Sequence, residues 1–170
     1  KTFVAESVQW LGRIQGKLIC GLSGGVDSAV AFRLAERALG SDRVHGIFVD
    51  NGWMREGEME EVRAIFGTSN VTYVDASGRF HTAIEAIPYP TEGPLTDREY
   101  HYYEAVRKTM GEIFIEVFVD IAKNLGGVQG LLQGTNWADI IESITGLKSQ
   151  HNVNIAELLQ LSVCEPLAGM

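Results

Sequence analysis

Several things are scarce in this chain of 170 residues, and each scarcity excludes something. There are two cysteines, Cys20 and Cys164, too few for a disulfide framework and without the spacing of a metal site. A reducing cytoplasm is therefore the expected setting. Positive charge is short: 14 Lys and Arg against 22 Asp and Glu leave a formal charge of −8. That balance argues against a duplex or tRNA partner held through its phosphates, and no nucleic acid is expected. No apolar run approaches membrane-spanning length and no signal peptide is recognisable, so no membrane role is expected. Of the four prolines, three crowd into Pro88, Pro90 and Pro94, a loop that marks an insertion. There is no internal repeat. What remains, 45% hydrophobic and 21% charged, suits one soluble domain with a sizeable core.

Hydrophobic periodicity alternates along the chain. Residues 2–15 put Val4, Val8, Leu11 and Ile14 on one helical face, with Trp10 read as packing. An apolar strand at 17–20 leads into a helix over 27–39, which Gly40 ends. A buried strand at 44–50 precedes a helix over 58–66 with Met59, Val62, Ile65 and Phe66 inward. A third strand spans 71–75, followed by a helix over 78–87 and a long helix over 97–124. On that helix Tyr100, Tyr102 and Tyr103 read as a half-buried face in preference to a stacking platform. A fourth strand begins at Val128 and runs to a polar end at Gln133-Gly134-Thr135, and Cys164 lies in a fifth. Strict alternation of this kind predicts an α/β fold, a doubly wound parallel five-stranded sheet with helices on both faces. In the common strand order the first and fourth strands are neighbours whose connections leave in opposite directions. Ligands bind at that switch point, so Ser23–Ser28 and Gln133–Thr135 should meet there.

The chemistry concentrates in Gly21-Leu22-Ser23-Gly24-Gly25-Val26-Asp27-Ser28, between the first strand and its helix. A tight glycine turn there lets bare N–H groups and a helix N-terminus converge on an anion. There is no lysine for a P-loop and no Gly-x-Gly-x-x-Gly for a dinucleotide. Asp27 instead stands between two serine hydroxyls. A carboxylate beside a polyphosphate is repulsive unless a divalent cation bridges them, which points to Mg²⁺. The bland alternative makes Asp27 a helix N-cap and the glycines an ordinary turn. Further on, Asp139 and Glu142 are three residues apart and share one face of a helical turn. Directed at the switch point, they would hold the metal with Asp27 or position a nucleophile; otherwise they are a solvated face. The polar stretch 144–154 reads as a mobile loop carrying Lys148, which could neutralise charge developing at a leaving phosphate.

The hexapeptide Ser23-Gly-Gly-Val-Asp-Ser28 resembles the PP-loop of the N-type ATP pyrophosphatases. Further segments follow in order: Phe48-Val-Asp-Asn-Gly-Trp-Met-Arg-Glu-Gly57, Val74-Asp-Ala-Ser-Gly-Arg-Phe80, Arg107-Lys-Thr-Met-Gly-Glu-Ile-Phe114, Gln133-Gly-Thr135, Asp139-Ile-Ile-Glu-Ser143 and Lys148-Ser-Gln-His-Asn-Val153. Together, over about residues 2–167, they resemble the ATP-pyrophosphatase part of GMP synthase, with a short lid similar to that of the archaeal separate-subunit form.

That resemblance implies an adenine nucleotide alpha-hydrolase-like fold and a ligase reaction. ATP adenylates the carbonyl oxygen at carbon 2 of XMP, pyrophosphate leaves, ammonia attacks that carbon, and AMP departs from GMP. It implies that Ser23, Gly24, Gly25, Val26, Asp27 and Ser28 bind the phosphates, and that Phe48, Val49, Gly134 and Thr135 hold adenosine through backbone. It further implies Asp27, Asp139 and Glu142 on Mg²⁺, Lys148 at the reacting groups and, with His151, at XMP. The family pattern has His-His where this chain has Gln150-His151, and segment 81–106 is longer than that pattern. The family also continues into a C-terminal domain that completes the XMP site and makes the homodimer; on this reading residues 1–170 are the ATP-pyrophosphatase domain alone. Neither cysteine sits on a strand–turn–helix elbow, so nitrogen is expected from free ammonia or a separate glutamine amidotransferase. The rival readings are an NAD synthetase, a non-catalytic ATP-binding domain and, disfavoured by the acidic balance, a tRNA-thiolating enzyme.

Overall fold

The computed structural model describes residues 2–135, 156–157 and 159–168. Its elements are α1 (Phe3–Leu11), β1 (Lys17–Leu22), α2 (Val26–Leu39), β2 (Val44–Asp50), α3 (Glu58–Phe66), β3 (Val71–Asp75), α4 (Ser77–Glu85), α5 (Leu95–Leu125), β4 (Val128–Leu132) and β5 (Ser162–Cys164). The five strands form one sheet in the order β3-β2-β1-β4-β5, and every neighbouring pair is parallel. This is the doubly wound arrangement that the alternating pattern predicts. The first and fourth strands are indeed neighbours.

Period-two alternation divides the strands between two cores. Leu18, Cys20 and Leu22 of β1, with Val44 and Phe48 of β2, face α1, α2 and α3 and pack on Leu11, Phe32 and Val62. Ile19, Ile47, Val49 and Leu131 face the other way, onto Phe80 of α4 and Phe118 of α5. A parallel sheet buried on both faces needs continuous apolar strands, and β1 and β2 supply them. Among the described residues no helix is long and apolar enough to cross a membrane.

Several helical expectations shift. Helix α1 ends at Leu11, and Gly12 donates its N–H to the carbonyl of Val8, so Ile14 lies beyond the helix although it still packs on the core. Val4 is 41% exposed, because the face that docks is set by Ser7 and Leu11 instead. Ile65 is 59% exposed and not inward; α3 spans nine residues and buries only Val62 and Phe66. The fourth strand stops at Leu132, three residues before its polar end. Trp10 is 44% exposed, so it is a weaker packing residue than its position on an amphipathic helix implies.

Helix α5 runs 31 residues, about 46 Å at 1.5 Å per residue. Its buried positions begin at Gly111 and end at Ala122, which matches the depth of the sheet. It enters β4 at that strand's amino end, so its first four turns rise past the carboxyl edge of the strands. There Tyr100 and Tyr103 stand open to solvent and only Tyr102 is half-buried, 5.3 Å from the Tyr89 ring. The expected half-buried tyrosine face therefore reduces to one residue.

Candidate functional site

The turn after β1 opens at the carboxyl edge of the sheet. Gly24 has φ +72°, a left-handed conformation that glycine adopts without strain. It also lies close to the first residue of α3: a Cβ on Gly24 would come 2.8 Å from Glu58 Oε1. Ser23 and Ser28 tie the turn together. The Ser28 hydroxyl donates to the Gly25 carbonyl at 3.0 Å and accepts from the Ser23 N–H at 3.4 Å. The Gly25 N–H donates to Ser23 Oγ at 3.4 Å, and the two hydroxyls are 3.3 Å apart.

Gly25 is the N-cap of α2, and no side chain among the described residues caps the helix. The bland reading of Asp27 as N-cap therefore fails; Asp27 lies in the first turn. Residues 23–27 are exposed, so the cup is accessible.

From the other side of the switch point comes the end of β4. A Cβ built on Gly134 would meet the carbonyl carbon of Asp27 and the nitrogen of Ser28, each at 2.7 Å. The two expected segments thus touch, backbone against backbone. Gln133 lies just beyond the strand: its N–H donates to the Cys164 carbonyl at 2.9 Å, and its Oε1 accepts from Thr135 Oγ1 at 3.3 Å.

Phe48 and Val49 are buried, and their side chains point into opposite cores. Only their backbone is left for a ligand, as the resemblance implies. The pairing of β1 on β2 ends at Leu22 against Phe48, while β2 continues through Val49 and Asp50. That overhang leaves a strip of β2 edge beside the cup. Beyond it, Asp50 Oδ1 accepts from the Gly52 N–H at 2.8 Å and Asn51 Oδ1 from the Trp53 N–H at 3.0 Å, fixing the loop that leads to Glu58.

Glu58 stands at this candidate site, beside Gly24, and the sequence reading does not name it. It brings a second carboxylate to the rim, held by the Arg55 N–H at 3.2 Å and Arg55 Nε at 3.3 Å. The available signal was its place as the first residue of a helix after the Asn51–Gly57 loop. Asp139, Glu142, Lys148, Gln150 and His151 lie outside the described residues. Among the described residues no group of three or more His, Cys, Asp or Glu could hold a metal by itself. Magnesium does not require one, since it is usually held by one or two carboxylates together with substrate phosphates. Asp27 beside an open anion cup fits that donor set.

Both cysteines are free and buried. Burial pushes the Cys20 thiol up to about 12 and raises that of Cys164. Neither is a ready thiolate nucleophile.

Comparisons with known proteins bear on the family and the fold. The family model described as NAD synthase matches residues 1–83. A glutamine-hydrolyzing GMP synthase subunit from Methanocella arvoryzae is 47% identical over 138 residues, covering 81% of this chain and 40% of that protein. The subunit of the same name from Pyrococcus furiosus is 42% identical over 175 residues, covering 99% of this chain and 51% of its own length. The chain thus spans about half, or less, of the curated relatives it matches. Among solved structures, an NH3-dependent NAD synthetase from Campylobacter jejuni superposes with a TM-score of 0.56 at 16% identity, covering 94% of this chain and 72% of that one. That likeness supports the fold alone.

Proposed function

Because this chain belongs to the GMP synthase family of PP-loop ATP pyrophosphatases, we propose that it carries the ATP-cleaving half of the amination of XMP to GMP. The observation that carries the reading is the open cup at Ser23–Ser28 with Gly134 seated against its helix turn. The N–H groups of the first turn of α2 and the two serine hydroxyls bind the β and γ phosphates. The β2 strip at Phe48 and Val49, with Gly134 and Thr135, takes the adenosine through backbone groups. With tail and nucleoside so held, the XMP oxygen would attack the α phosphorus and pyrophosphate would leave in line. Ammonia then displaces AMP at carbon 2.

Asp27 would hold Mg²⁺, with Asp139 and Glu142 from the segment beyond β4, and the ion would supply charge neutralisation for the departing pyrophosphate. Lys148 and His151 belong at the XMP side. With no thiolate of its own, the chain takes nitrogen from free ammonia or from a separate glutamine amidotransferase. The relatives' names, each that of one subunit in a glutamine-hydrolyzing enzyme, favour the second source. On this reading the XMP site and the homodimer would be completed by the family's C-terminal domain.

A second reading, NAD synthetase, is favoured by the family model over residues 1–83. One experiment separates them. ATP–pyrophosphate exchange in the full-length protein, with Mg²⁺, is measured with XMP and then with nicotinate adenine dinucleotide. Exchange dependent on XMP supports the reading. Exchange dependent on the dinucleotide replaces it, and ATP binding without exchange makes this a non-catalytic nucleotide domain.

A further inference from the structure

We propose that Arg55 binds the terminal phosphates of a nucleotide held in the cup, with Glu58 as the positioning residue that aims its guanidinium there. This rests on the ATP reading above and adds to it a cation that neither the motifs nor the relatives' names assign. The turn Ser23–Ser28 carries no lysine of its own. A triphosphate tail stays negative beside a single Mg²⁺, and Asp27 adds a further negative charge. A second cation at the rim would relieve that repulsion.

One carboxylate links the cup to that cation. Glu58 Oε1 lies 2.8 Å from where a Cβ on Gly24 would stand. Its other oxygen, Oε2, accepts from the Arg55 N–H at 3.2 Å and from Arg55 Nε at 3.3 Å. The Glu58 N–H donates back to the Arg55 carbonyl at 3.0 Å, which closes the turn that carries both residues. The Glu58 side chain is 15% exposed and that of Arg55 82%, so the anchor is packed and the fork is open. The Nε bond orients the plane of the guanidinium and uses one of its edges. The Nη donors remain, and a rigid fork of N–H groups matches the oxygens of a phosphate. A lone carboxylate beside an anion cup would repel the ligand; paired with Arg55, its charge is offset and the cation is what the pair presents outward. Gly134, where that reading takes the nucleoside, lies against the Asp27–Ser28 peptide, whereas Glu58 lies against Gly24. Arg55 therefore meets the tail and not the nucleoside.

The test is calorimetric titration of the full-length protein with three probes: inorganic tripolyphosphate and ATP, each with Mg²⁺, and AMP. Arg55→Gln should weaken tripolyphosphate and ATP about ten- to thirtyfold, the size of a charge-assisted hydrogen bond, and leave AMP unchanged. Arg55→Lys should recover only part of that loss, since a point charge lacks the fork. Tripolyphosphate affinity should also fall less steeply with added salt in Arg55→Gln, because one screened charge has gone. The ligand-free melting temperature should stay near that of the wild type, as an exposed ion pair contributes little to stability. Glu58→Ala should weaken tripolyphosphate in the wild-type background and not in the Arg55→Gln background. Equal losses in both backgrounds would show that Glu58 does not act through Arg55. Wild-type tripolyphosphate affinity in Arg55→Gln, at any melting temperature, would make Arg55 a partner of protein groups alone and overturn the proposal. Equal weakening of AMP would place the contact at the α phosphate or the nucleoside and also overturn it. If the wild type binds neither tripolyphosphate nor ATP, the reading of the cup falls as well. If it binds both and the Arg55 variants match it, this inference alone falls.

Discussion

Gly134 stands against the peptide joining Asp27 to Ser28, so closely that a Cβ at 134 would be 2.7 Å from the Ser28 nitrogen. The end of one strand is thus wedged under the helix turn that follows its neighbour. The three atoms it would strike, the carbonyl carbon and oxygen of Asp27 and the nitrogen of Ser28, are all backbone, and none can swing aside as a side-chain tip would.

Gly134→Ala should therefore displace the first turn of α2 or the end of β4. The expected cost is about 1–3 kcal/mol, with a fall in melting temperature of several degrees. ATP affinity should fall at least tenfold, because the N–H groups of that turn lose their common aim. Calorimetric titration with ATP–Mg²⁺ checks this; wild-type affinity in the alanine variant would show that the wedge does not shape the cup.

Asp27→Asn removes the charge that requires a cation beside the phosphates. Pyrophosphate release in Mg²⁺ should drop by about 10²-fold or more, in line with the several kcal/mol a bound metal contributes. Tripolyphosphate binding without Mg²⁺ should strengthen, since like-charge repulsion has gone. Steady-state pyrophosphate release at saturating Mg²⁺ reads the first effect, and an unchanged rate would remove Asp27 from the metal site.

The cysteines give a third prediction. Burial holds the Cys20 thiol up at about 12 and raises that of Cys164, so both are protonated at pH 8 in the folded state. An Ellman titration at pH 8 should find two thiols only after denaturant is added. The folded state keeps these protons where the unfolded chain releases them, so the associated stability is lost as pH rises above about 8.5. Rapid labelling of the native protein would contradict the burial and reopen the question of a nucleophilic thiol.

His45 sets an acid limit. Burial, and then the charge of Lys17, lower its pKa, while its ring accepts or donates at 2.8 Å to Thr72 Oγ1 across β2 and β3. A base whose folded pKa lies below its ordinary value of about 6.5 takes up a proton more readily when unfolded. Its contribution to stability is present above that pH and declines as pH falls. His45→Gln, which does not titrate, should flatten the loss of stability between about pH 7 and 5 relative to wild type. Superimposable curves would show that His45 is not the group responsible.

The strand pattern was legible because buried parallel strands need unbroken apolar runs, and Leu18–Cys20 and Ile47–Val49 have no other reading. The cup was legible because the residues of Ser23–Ser28 act on their immediate neighbours, with a left-handed glycine at 24, hydroxyls at 23 and 28, and an acid in the first helical turn. Local bonding rules act over a few residues, so a single stretch of sequence carries them. Ile65 and Val4 were misread because helical periodicity defines a stripe but not its angle to the sheet, which the packing partners set. Glu58 beside Gly24 and Gly134 on the Asp27 peptide join residues remote in the chain. Only the folding of β1 against β4 and of α3 over the turn decides those, because contact distances and burial belong to the assembled chain and to no segment of it.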